Sequence, residues 1–203
     1  MRRSVITWAA AIFMGIFAAI FAGETQGKEA ALQQEIAKEV IRFHVLADSD
    51  QVKDQEIKLE VKECLLDHIN FLIRDAGSLE ETKAILKNNT DYLQREAKKC
   101  LKKKGNMDSV TVSYETDHFP VKSYGEYTFP AGQYEALRVK IGRARGHNWW
   151  CMLYPSLCFQ DSLHPVLKEE KLDQVLSDDA YDSILKTEKP HFTFRWFDLK
   201  LPE

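Results

Sequence analysis

The sequence predicts an α+β (or α/β) domain: a mixed sheet of about four to six strands with two to three helices packed on it, preceded by an N-terminal hydrophobic export helix. Three observations carry this. An alternating run at Val40–Ala47 is followed by two long segments with apolar residues at helical spacing. From Ser109 onward the period switches to two and stays there through several short runs. Ahead of all of this, the chain opens on a long apolar stretch with no charge. Strand, helices, then strands is the order expected when a sheet carries its helices on one face. It leaves the strand order open.

Arg2 and Arg3 precede an uncharged run from Val5 to Ala22. At ~1.5 Å per residue a helix of that length nearly spans a hydrocarbon core of ~30 Å. Basic residues before it and Glu24 after it place the rest of the chain outside the cytoplasm. The run is longer than a usual signal-peptide core, and a cut after Ala22 would leave Ile20 where a small residue is favoured. Residues 1–23 are therefore expected to be a signal peptide or a membrane anchor, and both readings stay open. The chain beyond this segment is long enough for one domain with a real core, assigned to residues 39–159. Residues 160–203 read as an acidic C-terminal appendage with a last strand in "HFTFRWFDLKL". A net charge of −3 gives no sign of nucleic-acid binding. The densest basic run, Lys98–Asn106, sits where a helix ends, with its lysines on the negative end of the dipole and Gly105 as the stop.

Each element has its own signal. In "VIRFHVLA", Ile41, Phe43 and Val45 alternate with Arg42, His44 and Leu46, which is a strand pattern. Asp48, Ser49 and Asp50 are candidate caps for the next helix. That helix carries Ile57, Val61, Cys64, Leu65, Ile69 and Leu72 along one line, with Asp54 and Lys58 as an i,i+4 pair. Ser78 opens a second helical region, broken or bent near Asn89, whose apolar line runs through Tyr92, Leu93, Ala97, Cys100 and Leu101. "SVTVSYE" alternates strictly, and "EYTFPAGQYEALRVKIG" reads as a hairpin turning at "FPAG". "GRARG" turns the chain once more into "NWWCML".

Four cysteines in an exported chain raise the question of disulfides. Cys64 and Cys100 fall on helical apolar lines, where core packing is the leading reading, and their mutual pairing stays open. Cys151 and Cys158 could be bonded only if the chain reverses between them, for which "YPS" supplies a turn; packed free thiols are the alternative. A catalytic reading makes Cys151 a nucleophile and His147 its base. Four residues along a strand entry set them ~10 Å or more apart, so this is the minority reading. Zinc bound by His147, Cys151 and Cys158 matches no common ligand spacing, and neither a metal nor a cofactor is expected. Trp149 and Trp150 must point to opposite faces of a strand, so either both faces are covered or one indole serves as a recognition surface. His44, Asp48, Ser49 and Asp50 form a polar cluster at the end of the first strand.

The blocks "VIRFHVLADSDQVKDQEIKLEV" and "SYGEYTFPAGQYEALRVKIGRARGHNWWCMLYPSLCF", in that order behind an export segment, resemble the stage II sporulation protein R family. That family often has Asn where this chain has Asp48, and Pro where it has Ser156. The resemblance implies a developmental signal and not an enzyme. It would be exported into the space between forespore and mother cell, where it triggers a membrane-embedded aspartyl protease that processes the precursor of sigma factor E. It carries no catalytic residues across. The face expected to meet the protease comprises Arg143, Arg145, His147, Trp149 and Trp150, with Tyr124 and Tyr127 close by. The N-terminal segment would contact the membrane at least in transit.

Overall fold

A computed structural model describes residues 8, 12–17, 30–124, 127–155 and 176–185. Most of the expected export run falls outside these, as do Cys158 and most of the appendage with its expected last strand. Among the described residues no helix is long and apolar enough to cross a membrane.

A helix at residues 30–39 (α1) leads into β1 (Ile41–Leu46). Three helices come next: α2 (Val52–Ile73), α3 (Leu79–Asn88) and α4 (Thr90–Lys103). The remaining strands are β2 (Val110–Phe119), β3 (Lys122–Tyr124), β4 (Tyr127–Phe129), β5 (Gly132–Ile141) and β6 (Asn148–Tyr154). A short helix, α5, covers Asp178–Ile184.

Four strands form a mixed sheet in the order β2-β5-β1-β6, so the first strand of the domain ends up in its middle. β1 runs parallel to β5 and antiparallel to β6, and β2 runs antiparallel to β5. The parallel β1–β5 pair requires a long crossover, and α2, α3 and α4 followed by β2, β3 and β4 lie between the two strands. Local chemistry sets their limits. Ser78 accepts from the Glu81 backbone N–H while the Glu81 carboxylate accepts from the Gly77 N–H, a reciprocal cap that starts α3. The expected break falls at Asn89, the single residue between α3 and α4. α4 stops where Gly105 takes φ 69°, letting the Gly105 and Asn106 N–H groups close back on Lys102 and Leu101.

Alternation along β1 sorts its side chains onto two faces, and all six are buried. Ile41, Phe43 and Val45 enter a core with α2, α3 and α4, including Val61, Leu65, Ile69, Leu86, Leu93 and Leu101. Burying each such side chain contributes about 1.5–3 kcal/mol. The opposite face is covered as well, by α1 (Ile36), the β3–β4 hairpin (Tyr124, Tyr127, Phe129) and α5 (Ala180, Ile184). The expectation of helices on one face therefore holds for α2–α4 and falls short on the second face. Aromatic residues of short elements build that layer, and no periodic helix signals it.

Two further expectations are corrected. "FPAG" does not join a hairpin: β4 pairs with β3 and β5 pairs with β2, so this turn carries the chain from the small sheet to the large one. Cys64 and Cys100 are not free core thiols but a disulfide, with Cα atoms 6.8 Å apart, tying α2 to α4. Both are half-buried, because the helical apolar lines reach the rim of the core at these positions.

Candidate functional site

The loop after β1 and the turn between β5 and β6 pack directly on one another. Asp48 is the centre of this clasp. Its carboxylate accepts the Arg143 backbone N–H at 2.6 Å and holds the guanidinium through Nη2 at 2.8 Å and Nε at 3.2 Å. This holds the Asp48 carboxyl down at about 2, with the Arg143 hydrogen bonds as the leading cause. Asp50 makes the matching contacts one step on: its Oδ1 accepts the His147 backbone N–H at 2.6 Å and lies 2.5 Å from His147 Nδ1. Backbone bonds from Arg145 to Asp48 and from Gly146 to Ala47 complete the seam.

Glycine is needed at two positions of this turn. Gly142 has φ 56°, and a Cβ there would lie 2.2 Å from Asp48 Oδ1. A Cβ on Gly146 would lie 2.2 Å from the Ser49 carbonyl oxygen. Below the clasp, the Lys58 ammonium is tucked in and donates to the His147 carbonyl at 3.0 Å and to Gln55 at 2.6 Å. Lys58 therefore does not pair with Asp54, as helical spacing suggested; Asp54 instead accepts from the Ser49 hydroxyl.

His44 does not join Asp48 and Asp50. It lies on the other face of the sheet, 3 % exposed, with Nδ1 2.6 Å from Asp117 Oδ2 and Nε2 3.0 Å from Asn148 Oδ1. Arg138 reaches the same Asp117 oxygen at 3.2 Å and Glu115 at 2.9 Å. Burial is the largest influence on the imidazole and pushes its pKa below the usual value, against the pull of Asp117. The Asn148 Oδ1 at Nε2 and the Asp117 carboxylate at Nδ1 are both acceptors, so each favours the protonated ring while burial disfavours it. This row of side chains crosses all four strands of the main sheet.

One turn of the pleat away, Arg42 is fully buried among four rings. Its guanidinium carbon lies 4.6 Å from the ring centre of Phe119 and 5.1 Å from that of Tyr134, with Phe129 and Tyr124 slightly farther. It donates one long bond, 3.4 Å, to the Tyr124 hydroxyl, while Nε and Nη1 have no partner among the described residues. Burial lowers its pKa. Aromatic faces supply what stabilisation a carboxylate would otherwise give.

The residues expected to form a recognition face divide. Arg143, Arg145 and His147 are exposed on the clasp, and Trp149 and Trp150 are half-buried. Trp149 turns to the helical face, edge-on to Phe43 and beneath the Lys62 ammonium. Trp150 turns to the opposite face and stacks on His44. Tyr124 and Tyr127 are buried and close the second core, so they do not extend that face. Nor do His147 and Cys151 form a catalytic pair. Cys151 points into the helical core and is disulfide-bonded, whereas His147 is exposed on the clasp and held by Asp50. Among the described residues no group of three His, Cys, Asp or Glu side chains is placed to hold a metal ion. Sequence reasoning missed Asp117, Arg138 and Asn148; alternation of charged residues along β2 and β5 is the one signal that could have pointed to them.

The two interlocking loops are the two sequence blocks that carry the family resemblance. A family model described as Stage II sporulation protein R (spore_II_R) matches residues 37–164. The chain belongs to the stage II sporulation protein R family. Among curated proteins it is similar to the stage II sporulation protein R of Bacillus subtilis (strain 168), 29% identical over 188 residues, which cover 92% of this chain and 84% of the relative. No solved structure matches. The matched span of this family member runs from the end of α1 through β6, so it contains the clasp, the His44 row and the Arg42 box together.

Proposed function

We propose that this protein is an exported sporulation signal. It would act in the space between forespore and mother cell, by direct contact with the membrane-embedded aspartyl protease that processes the sigma factor E precursor. The observation that carries this reading is the clasp. Arg143, Arg145 and His147 are exposed side chains on a turn whose backbone is fixed by Asp48 and Asp50. A rigid polar rim with an Arg145 side chain unpaired among the described residues, two residues along the chain from His147 and four from the half-buried Trp149 indole, is the kind of surface that binds a protein at low entropic cost. Activation would result if the rim favours the active arrangement of the protease over its resting one and so shifts the population. The disulfide between α2 and α4 supports an oxidising, extracytoplasmic setting.

Arg145 offers the clearest test, because no side-chain partner holds it in the clasp among the described residues. Arg145→Glu, alone and with Trp149→Ala, should abolish sigma factor precursor processing while the protein is still exported and folded. Photo-crosslinking from position 145 should capture the protease. Normal processing by the folded double variant would place the contact elsewhere.

A further inference from the structure

α2 buries two lysines, and both reach the same short segment. Lys58 and Lys62 are 5 % and 7 % exposed, the only lysines buried among the described residues. Four residues apart, they lie one above the other on a single helix face. The Lys58 ammonium donates to the His147 carbonyl at 3.0 Å. The Lys62 ammonium sits 4.9 Å from the ring centre of Trp149. Lys58 also ties in the other half of the clasp, since it donates to Gln55, whose amide donates to the Ser49 carbonyl at 2.8 Å.

Stability alone does not call for a lysine at either place. Taking an ammonium out of water is costly, and a well-paired buried carboxylate is what usually offsets it. Neither lysine has one among the described residues. Lys58 bonds a carbonyl and an amide oxygen, and Lys62 donates to Glu63, whose side chain is half exposed. A methionine of similar length would fill each place without that cost. What the two ammoniums have in common is their target. The β1–β6 ladder begins at Asn148, so the His147 carbonyl lies outside it and takes its donor from α2. The Trp149 indole stands on the helical face edge-on to Phe43, and Lys62 covers the face of its ring.

We propose that Lys58 and Lys62 are positioning residues for the recognition segment. They hold His147 and Trp149 in place on α2, so that the Arg145 side chain and the Trp149 indole reach a partner as one surface. This role rests on the reading of that segment as the protease contact, and it adds what sets the shape of the contact. Lys58 fixes the turn through its backbone, and Lys62 fixes the indole through its ring, so each governs a different part of the surface. A loose segment has to be ordered by the partner at each encounter, and that ordering lowers affinity.

The test uses the full chain carrying Lys58→Met, Lys62→Met or both. Hydrogen exchange at the Arg145 and His147 amides is expected to quicken about ten-fold in Lys58→Met. The fluorine resonance of fluorotryptophan at Trp149, assigned with Trp149→Phe, is expected to shift in Lys62→Met. Melting temperatures should stay at or above the native value. The double variant should need about ten-fold more exported protein for half-maximal processing of the sigma factor precursor. Lys62→Arg, which keeps a cation over the indole, should need no more than the native protein. Unchanged exchange together with an unchanged resonance overturns the proposal, as does a fall in melting temperature that accounts for the whole loss of processing. A native dose requirement despite quickened exchange overturns it too, and Arg145→Glu with Trp149→Ala then shows which step failed. If that folded variant abolishes processing, the positioning role alone is wrong; if it processes normally, the contact reading is wrong and the proposal falls with it.

Discussion

The imidazole of His44 lies flat on the indole of Trp150, with ring centroids 3.7 Å apart and planes 19° from parallel. The stack joins the central strand to its neighbour β6 on the face away from α2–α4, and Phe119 closes it at 4.7 Å from the Trp150 ring centre. Whatever happens to the charge of His44 is therefore felt by Trp150, by Asp117 on β2 and by Asn148 at the start of β6.

Acid should loosen this joint. Burial holds the folded-state pKa of His44 below 6.5, its ordinary value. Between those two values the unfolded chain binds more protons than the folded one, so stability rises with pH there. The contribution is complete above the unfolded value and is lost as pH falls from it toward the folded value. Urea midpoints at about pH 7.5 and about pH 5.5 should differ in the native protein and differ much less in His44→Gln. Trp150 fluorescence should change over the same window. Equal slopes in the two proteins would show that another group is responsible.

The clasp titrates lower. Asp48 is held at about 2, against 3.8 for a free carboxyl. Its contribution is present above the free value and lost as pH falls through the folded one. Asp48→Asn should remove acid sensitivity in that range and increase exchange at the Arg143 amide. Gly146→Ala should destabilise the fold by about 1–3 kcal/mol, because its obstacle is the Ser49 backbone rather than a movable side chain. Thermal melts of Gly146→Ala check this loss.

Reducing the Cys64–Cys100 disulfide releases a loop with a sequence separation of 36. The chain-entropy relation gives about 3–4 kcal/mol for a loop of this size, so the Cys64→Ala/Cys100→Ala variant should melt well below the native protein. An unchanged melting temperature would mean that α2 and α4 are held by packing alone.

Arg42 has two guanidinium nitrogens without hydrogen-bond partners and no carboxylate beside it among the described residues. Replacing a buried, unpaired charge by an apolar chain of similar length is often neutral or stabilising. Arg42→Met is therefore expected to match or exceed the native melting temperature, whereas Arg42→Ala, which opens a cavity among four rings, should fall by about 2–4 kcal/mol. A large loss in Arg42→Met would reveal an anionic partner for the guanidinium.

Local pattern was enough for many of these features. The strand at Val40–Ala47, the break at Asn89, the stop at Gly105 and the opposed tryptophans all arise from residues within a few positions of each other, because period, capping and pleat are short-range effects. Family membership was equally legible, since two ordered blocks carry it. The sites were not. Asp48 meets Arg143 and His44 meets Asp117 only because β1 is placed between β5 and β6, a choice made by burying both of its faces at once. Alternation told that Arg42 and His44 share a face, yet not that the face is covered, because its cover comes from short aromatic elements far along the chain. Tyr124 went inside by closing over Arg42 and Tyr127 by packing on Tyr181, each removing apolar surface from water, and no sequence period records where such a ring will find its partner.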